Sequence, residues 1–276
     1  PPDELPPVSA AAFRAPVAAY RAYSAGRLRL MQGEIAKLQS ALAAGDRSAA
    51  QTAWRGAYAY YLNLGAVYLE GPVAALNDAI DGTPGGLPGG TTSPRFSGLH
   101  RLEQGLWTGA PLASLQPWAR RLAADVAKLA TLVPHVQIDP VDYATRAHEI
   151  LEDALRDQLS GADAPWSGAG VLGTSAGVVA TAAVIRTLGP VLGTREGVLQ
   201  TVTADLAGVR STLAAIVRAH GGQLPTTSQL TQPQSERLGA STGQALEGLA
   251  QVPGALEVTA APVIPQITAK AARTAR

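Results

Sequence analysis

Apolar residues recur at intervals of three and four positions along most of this chain, which is the period of an α-helix and not of a β-strand. The first long segment shows the pattern most clearly, with apolar positions at Val17, Tyr20, Leu28, Met31, Ile35, Leu38 and Leu42. Hydrophobic residues make up 46% of the sequence but aromatic residues only 5%, so the core must be built from Leu, Val and Ala. Ala is the best helix former, whereas β-sandwiches favour β-branched and aromatic residues. The sequence therefore predicts an all-α fold.

Breaks in the helical pattern divide the chain into two parts. Residues 82–94 are rich in Gly and Pro, so we expect a long loop there and not a helix or a central strand. A second boundary falls at Asp139 and Pro140, which form a good N-cap and first-turn pair. The pattern predicts about eight helices in two sets. We interpret residues 1–138 as one helical bundle and residues 139–276 as a second bundle packed against it.

Charge and cysteine content exclude several classes of function. The formal net charge is +1, and no dense run of Lys and Arg occurs before the basic tail at residues 270–276, so we expect no nucleic-acid partner. The chain contains no Cys, which excludes thiolate metal sites, disulfide scaffolds and thiol nucleophiles. No run of about 18 apolar residues is free of charges and helix breakers, so we also predict no transmembrane span.

The N-terminus is interpreted as the product of processing. It begins with Pro1 and Pro2, without an initiator Met and without an apolar signal core. The absence of Cys does not decide the compartment, since many exported proteins also lack Cys. We expect an exported protein whose signal peptide has been removed.

His100 and Glu103 are the clearest candidates for chemistry, because residues i and i+3 share one face of a helix. Imidazole nitrogen and carboxylate oxygen are ligands that suit iron, zinc or manganese. Glu70 and Asp81 flank a short helical run that can lie antiparallel to the His100 helix and add two carboxylates. Such groups in a core of Leu and Ala would repel one another unless a cation lay between them. The residues alone also allow a plainer interpretation, in which the helical pair is exposed and Asp81 only opens a turn.

Other polar residues are weaker candidates. Asp78 is an alternative ligand within the same short helical run. Glu152 and Asp153 could line a cleft between the bundles, although a solvated helix face is the simpler interpretation. Adjacent helical residues point about 100° apart, so His148 and Glu149 do not face the same site. We expect His148 to lie at the surface. We expect Tyr58 to belong to the core or to an interface.

Two segments resemble the imelysin family. Residues 96–107 read Phe-Ser-Gly-Leu-His-Arg-Leu-Glu-Gln-Gly-Leu-Trp and are similar to the family signature, which centres on Gly-x-His-x-x-Glu. Residues 69–81 read Leu-Glu-Gly-Pro-Val-Ala-Ala-Leu-Asn-Asp-Ala-Ile-Asp and resemble a Glu-Pro-Val-Ala…Ile-Asp block that is strongest in EfeO-type proteins. Residues 147–167 resemble the start of the family's second bundle. Residues 161–177 are expected to form a loop of small residues.

The resemblance implies a metal site. Matched residue by residue, its ligands are Glu70, Asp81, His100 and Glu103. The implied metal is iron, as Fe2+ or Fe3+, with zinc or another divalent metal as the alternative. The resemblance implies no catalytic residue and no further cofactor.

The same resemblance implies a function in iron uptake. The chain is expected to capture iron outside the cytoplasmic membrane, in the periplasm or at the outer face of that membrane, and to pass it to a permease. An iron permease and a peroxidase of the same uptake system are the implied partners, and a lipid anchor upstream of Pro1 is compatible with this role. An imelysin-like metallopeptidase is one alternative, although no second His lies four residues after His100, as a His-Glu-x-x-His peptidase requires. Polysaccharide binding is another alternative, which the low aromatic content disfavours.

Overall fold

Helices make up nearly all of the regular structure in this computed structural model, which describes residues 8–67 and 71–257. The α-helices are, in chain order, α1 (Arg14–Ala44), α2 (Arg47–Leu62), α3 (Gly71–Asp81), α4 (Gly98–Trp107), α5 (Leu112–Leu132), α6 (Pro140–Asp153), α7 (Gly170–Leu192), α8 (Glu196–Ala219), α9 (Gln232–Leu249) and α10 (Gln251–Leu256). Within the described ranges no β-strand forms, apart from one bridge residue at Val8. The prediction of an all-α fold is confirmed.

Side-chain caps begin two helices, and the second lies at the boundary that the sequence predicted. Asp46 precedes α2 and accepts a hydrogen bond from the backbone N–H of Ala49 at 2.9 Å. Asp139 precedes α6 and accepts from the backbone N–H of Val141 at 2.8 Å, with Pro140 as the first helical residue. Each bond satisfies a backbone donor that the first turn of a helix would otherwise leave unpaired.

The segment between α6 and α7 differs from the sequence-based expectation. After Asp153 the chain forms a π-helical turn, Ala154–Gln158, where a continued α-helix was expected. Helix α7 begins at Gly170 and not near Gly177. Gly is a poor helix former in isolation, which is why these positions suggested a loop. Packing overrides that preference, because a Cβ at Gly170 would lie only 2.0 Å from the carbonyl oxygen of the last residue of the π-helical turn.

One hydrophobic core joins the two predicted bundles. Helix α7 packs against α1 and α2 as well as against α6 and α8, and buried residues from both parts belong to the same cluster. Trp54, Tyr20, Tyr58 and Tyr143 are among its largest fully buried side chains. The division of the chain at residue 138 therefore stays a prediction about folding units.

Helix α7 is long and apolar enough to cross a membrane by length and composition alone. In its most apolar 18-residue window, 67% is buried inside the protein. This burial is the pattern of a helix in a protein core, so α7 is weak evidence for a membrane span. The expectation of no transmembrane span stays a prediction.

Candidate metal centre

Two glycines close the long Gly/Pro-rich connection between α3 and α4. Gly82 and Gly98 have positive φ angles of 72° and 68°. A Cβ at Gly82 would lie 1.7 Å from the carbonyl oxygen just before α4, and a Cβ at Gly98 would lie 2.3 Å from the carbonyl oxygen of Ile80. Only glycine satisfies both the conformation and the space. As a result Asp81, the last residue of α3, lies beside the first turn of α4, which carries His100.

His100 is fully buried and presents its two ring nitrogens to different partners. Nδ1 lies 3.0 Å from Oε2 of Glu103 on the same helix. Nε2 lies 3.5 Å from Oδ1 of Asp81 and 3.6 Å from Oδ1 of Asp163. Nε2 is buried, yet it makes no hydrogen bond of good geometry. A buried polar atom without a partner is costly, so this nitrogen is available as a ligand to a cation.

Glu103 is fully buried, and both of its carboxylate oxygens are engaged. Oε2 faces Nδ1 of His100, while Oε1 accepts the backbone N–H groups of Ser167 at 2.8 Å and of Trp166 at 3.2 Å. A carboxylate that accepts Nδ1–H holds the imidazole in the tautomer whose Nε2 carries the free lone pair. Glu103 therefore contacts the side of the imidazole ring opposite to Nε2, where it orients His100.

Sequence reasoning missed Asp163, which comes from the loop between α6 and α7. Its Oδ2 accepts the hydroxyl proton of Tyr58, and its backbone N–H donates to the carbonyl oxygen of Asp157 at 3.0 Å. The Tyr58 hydroxyl also lies 2.5 Å from Oε1 of Gln158 in the π-helical turn. One signal could have found this residue, because Asp163 is the only acidic residue between Asp157 and Glu196.

The carboxylates around His100 change how strongly the centre holds protons. Burial lowers the pKa of His100, but Asp163, Asp81 and Glu103 together outweigh burial and raise that pKa well above its ordinary value. Burial raises the pKa of Asp163, yet contacts with His100 outweigh it and the net direction is downward. Burial and then Asp163 raise the pKa of the Tyr58 hydroxyl. A proton and a metal ion therefore compete for Nε2 of His100.

The structure brings two of the predicted ligands together and adds a third residue. One ligand atom each from Asp81, His100 and Asp163 lies within 4.8 Å of the others. Glu103 contacts His100 at the other nitrogen, and Glu70 lies outside the described residues. No other cluster of three or more His, Asp or Glu side chains with this spacing occurs in the part of the chain that the structure describes.

A cleft of about 420 Å³ is lined by both Asp81 and Asp163. Arg146 and Asp153 also line it, as does the π-helical turn, so Asp153 does border a cleft. Asp78 borders a separate cavity of about 730 Å³, whose lining also includes Asp81. Three protein ligands beside a cleft leave coordination positions open to water or to another donor.

The chain is similar to one known protein family over most of its length. The family model Peptidase_M75, described as imelysin, matches residues 16–252. The comparison with curated proteins gave no match. The matched range contains Asp81, His100 and Asp163, together with the helices that position them. The chain belongs to the imelysin family.

Proposed function

We propose that this chain is an iron-binding protein of an EfeO-type uptake system, with Asp81, His100 and Asp163 as ligands. The buried Nε2 of His100 carries the proposal, since it has no hydrogen-bond partner and faces two carboxylate oxygens. Within that system the chain would take up iron outside the cytoplasmic membrane and release it to a permease. The function is one of binding and delivery, and no catalytic step is included.

The charges around His100 favour a cation of higher charge than a proton. Three carboxylates, from Asp81, Glu103 and Asp163, surround one imidazole, so a protonated His100 balances only part of their charge. Buried charges that stay uncompensated are strongly destabilising. A divalent or trivalent ion at Nε2 compensates them more completely while it occupies the unpartnered nitrogen.

The donor set narrows the choice of metal. Carboxylate oxygen and imidazole nitrogen suit iron, zinc and manganese, and the absence of thiolate disfavours Cu(I). Membership of the imelysin family supports iron among these, with zinc as the alternative. Glu70, which the family resemblance also implies as a ligand, is proposed as a further donor to the same ion.

Peptide hydrolysis is the second candidate, because the family model carries a peptidase name. A hydrolytic metal site needs a polarised water next to a free general base. Here Asp81 and Asp163 are proposed ligands, and both oxygens of Glu103 are already engaged by His100 and by backbone N–H groups. These engagements favour binding over hydrolysis.

Polysaccharide binding in the cleft is the third candidate. Sugar sites generally use aromatic platforms, and Tyr61 is the only aromatic residue among the described residues that line the cleft. The remaining wall is made mostly of charged, polar and small side chains, with Leu62 and Ile150 as its larger aliphatic residues. The cleft therefore fits an ion with its water better than a sugar ring.

Metal titration of purified protein tests the proposal. We expect Fe2+ under argon to bind wild-type protein and to bind Asp163→Asn far more weakly. Asp157→Asn is the matched control, because Asp157 lines the same cleft but pairs with Arg156. Equal loss in both variants would mean that general negative charge attracts the ion, and no binding to wild-type protein would reject the proposal. Zn2+ titrated in parallel decides between the two metals.

A peptide-cleavage assay on the metal-loaded protein separates the first two candidates. We expect no turnover. Cleavage that chelator removes, and that disappears in Glu103→Gln, would establish the metallopeptidase instead.

The location and partners of the chain are part of the same proposal. Export, a possible lipid anchor and delivery to a permease with a companion peroxidase rest on the family resemblance. Cell fractionation with an antibody against the chain tests the location, and recovery of the chain with the soluble cytoplasm would contradict it.

A further inference from the structure

Three aromatic side chains connect the candidate metal centre to the protein surface. Tyr58 meets the ring of His100 edge to face, with centroids 6.1 Å apart. Trp54 stacks on Tyr58 at 4.9 Å with ring planes 12° apart, and Trp107 meets Trp54 edge to face at 5.2 Å. Tyr58 and Trp54 are fully buried, whereas Trp107 is partly exposed. The rings form an unbroken series from His100 outward.

This series concentrates aromatic rings in a core that has few of them, and the described core holds one other such group, formed by Tyr20, Tyr23 and Tyr143. Aromatic residues are only 5% of the chain, and the core is otherwise built mainly from aliphatic side chains. Two of the four Trp residues nevertheless lie in this series. Indole and phenol are the side chains that most readily lose a single electron, and electron transfer weakens steeply with distance. Rings in contact therefore allow an electron to move in short steps.

Each buried ring also has a polar partner suited to this role. The Tyr58 hydroxyl donates to Asp163, so a base is in place for the proton that a phenol releases when it is oxidised. The indole N–H of Trp54 donates to the carbonyl oxygen of Leu99 at 2.8 Å, which fixes the ring between its neighbours. At the outer end the guanidinium of Arg55 lies 5.3 Å from the ring centre of Trp107.

We propose that Trp107, Trp54 and Tyr58 form a path along which single electrons pass between the protein surface and the metal centre. The metal end of the path rests on the proposed function, whereas the aromatic path itself does not. Its physiological use would be to let bound Fe2+ become Fe3+, or the reverse, without direct contact between the ion and the redox partner.

The electron balance can be written for each half of the proposal. Without metal, an oxidant removes one electron from Trp107. Trp54 then donates an electron to the oxidised Trp107, and Tyr58 donates an electron to the oxidised Trp54. Tyr58 then becomes a neutral phenoxyl radical, and its proton passes to the carboxylate of Asp163. With metal, Fe2+ loses one electron to the path and becomes Fe3+, while a one-electron acceptor at the surface is reduced.

Flash photolysis of the metal-free protein tests the path by itself. A photo-oxidised ruthenium tris-bipyridine complex, too bulky to reach a buried ring, should produce a tyrosyl radical that Tyr58→Phe removes. We expect that Tyr58-dependent signal to be lost in Trp107→Phe and in Trp54→Phe. Trp118→Phe is the matched control, since Trp118 is also partly exposed but lies outside the series.

A Tyr58-dependent signal that persists in Trp107→Phe, or that never forms in wild-type protein, would overturn the path. Trp54 is buried, so each variant is first checked for wild-type helical dichroism, and the partly exposed Trp107 decides the result if Trp54→Phe does not fold.

Oxidation of the Fe2+-loaded protein by hexachloroiridate(IV), an anionic one-electron acceptor, then tests the metal end. We expect slower oxidation in Trp107→Phe and an unchanged rate in Trp118→Phe. Equal rates in the two variants, with iron still bound, would show that the path does not serve the metal. Failure of iron to bind at all would instead count against the proposed function and would leave the photolysis result standing.

Discussion

Two helices of this molecule carry a His followed within about one turn by a carboxylate, and only one of them takes part in the candidate metal centre. On α4, His100 and Glu103 are both fully buried and lie 3.0 Å apart. On α6, Nδ1 of His148 lies 3.5 Å from Oε2 of Glu152, and the two side chains are 29% and 48% exposed. The local patterns are nearly equivalent. The difference is that the fold buries the first pair and brings Asp163 to it from another part of the chain.

The comparison teaches that helical spacing supplies a pair of ligands but not a site. An exposed ion pair contributes little to the free energy of unfolding, because water solvates both partners and salt screens their charges. A buried pair must have its remaining lone pairs and protons satisfied. Backbone N–H groups of Trp166 and Ser167 do this for Glu103, and the fold leaves Nε2 of His100 for an ion.

The largest expected effect on iron affinity comes from the removal of His100, whereas removal of His148 should have none. His100→Ala should lower iron affinity by more than about a hundredfold, since loss of an outer-shell partner alone costs about 10–100-fold. His148→Ala should leave the affinity unchanged, because its ring has no second carboxylate from elsewhere in the described structure. Calorimetric titration of both variants measures the two affinities. Similar losses in the two variants would remove the distinction between the helices.

Acidification should have the next largest effect, and it should act through His100. The surrounding carboxylates raise the pKa of His100, so a proton competes with the metal for Nε2, and lower pH strengthens that competition. Displacement of one proton predicts that affinity falls by about tenfold for each pH unit below that raised pKa, so the affinity should be clearly lower at pH 5.5 than at pH 7.5. Titrations at three pH values measure the slope. His148→Ala should show the same slope, and a flat profile would contradict the role of His100.

Glu103→Gln should weaken iron binding by about 10–100-fold, the usual cost of removing a group that orients a ligand. A Gln amide places an NH2 group, which only donates, at one of the two positions that face Nδ1–H and the backbone N–H of Ser167, so one of these donors loses its acceptor and the His100 tautomer loses its support. Glu152→Gln is the matched change on α6 and should not alter the affinity. Binding assays on both variants check this, and an unchanged affinity in Glu103→Gln would mean that the carboxylate is only structural.

The support that α7 gives the π-helical turn should be measurable as stability. Gly170→Ala places a Cβ 2.0 Å from a backbone carbonyl oxygen and should cost about 1–3 kcal/mol in the free energy of unfolding. Gly189→Ala on the same helix meets no atom within 4 Å and should be neutral or slightly stabilising. Denaturant unfolding compares the two variants. If both were neutral, the close contact between α7 and the turn would not constrain the loop that carries Asp163.

The smallest effect should come from breaking the exposed pair on α6. Glu152→Gln should change the free energy of unfolding by less than about 0.5 kcal/mol, because exposed ion pairs contribute little. The same denaturant series measures it. A loss of several kcal/mol in the free energy of unfolding would mean that the α6 pair stabilises the fold despite its exposure to solvent.

The fold class and the boundary at Asp139 could be predicted because they depend on neighbours in the sequence. The three-and-four periodicity gives the helices, and Asp46 and Asp139 cap α2 and α6 through the next turn of backbone. The start of α7 could not be placed in the same way. Gly170 and Gly173 suggest a loop when only local propensity is considered, yet both occupy a helix whose surface contacts the π-helical turn.

For the candidate centre, the sequence by itself determined that His100 and Glu103 share one face of a helix and that Asp81 flanks a short helical run before it. Only the tertiary structure decided which of these atoms can meet an ion, because the α4 pair acquires its roles from groups far away in the chain. Ser167 and Trp166 engage Glu103 and leave Nε2 of His100 free. Asp163 has no helical period and no motif of its own, so its place beside His100 follows from packing between distant segments, about which local patterns carry no information.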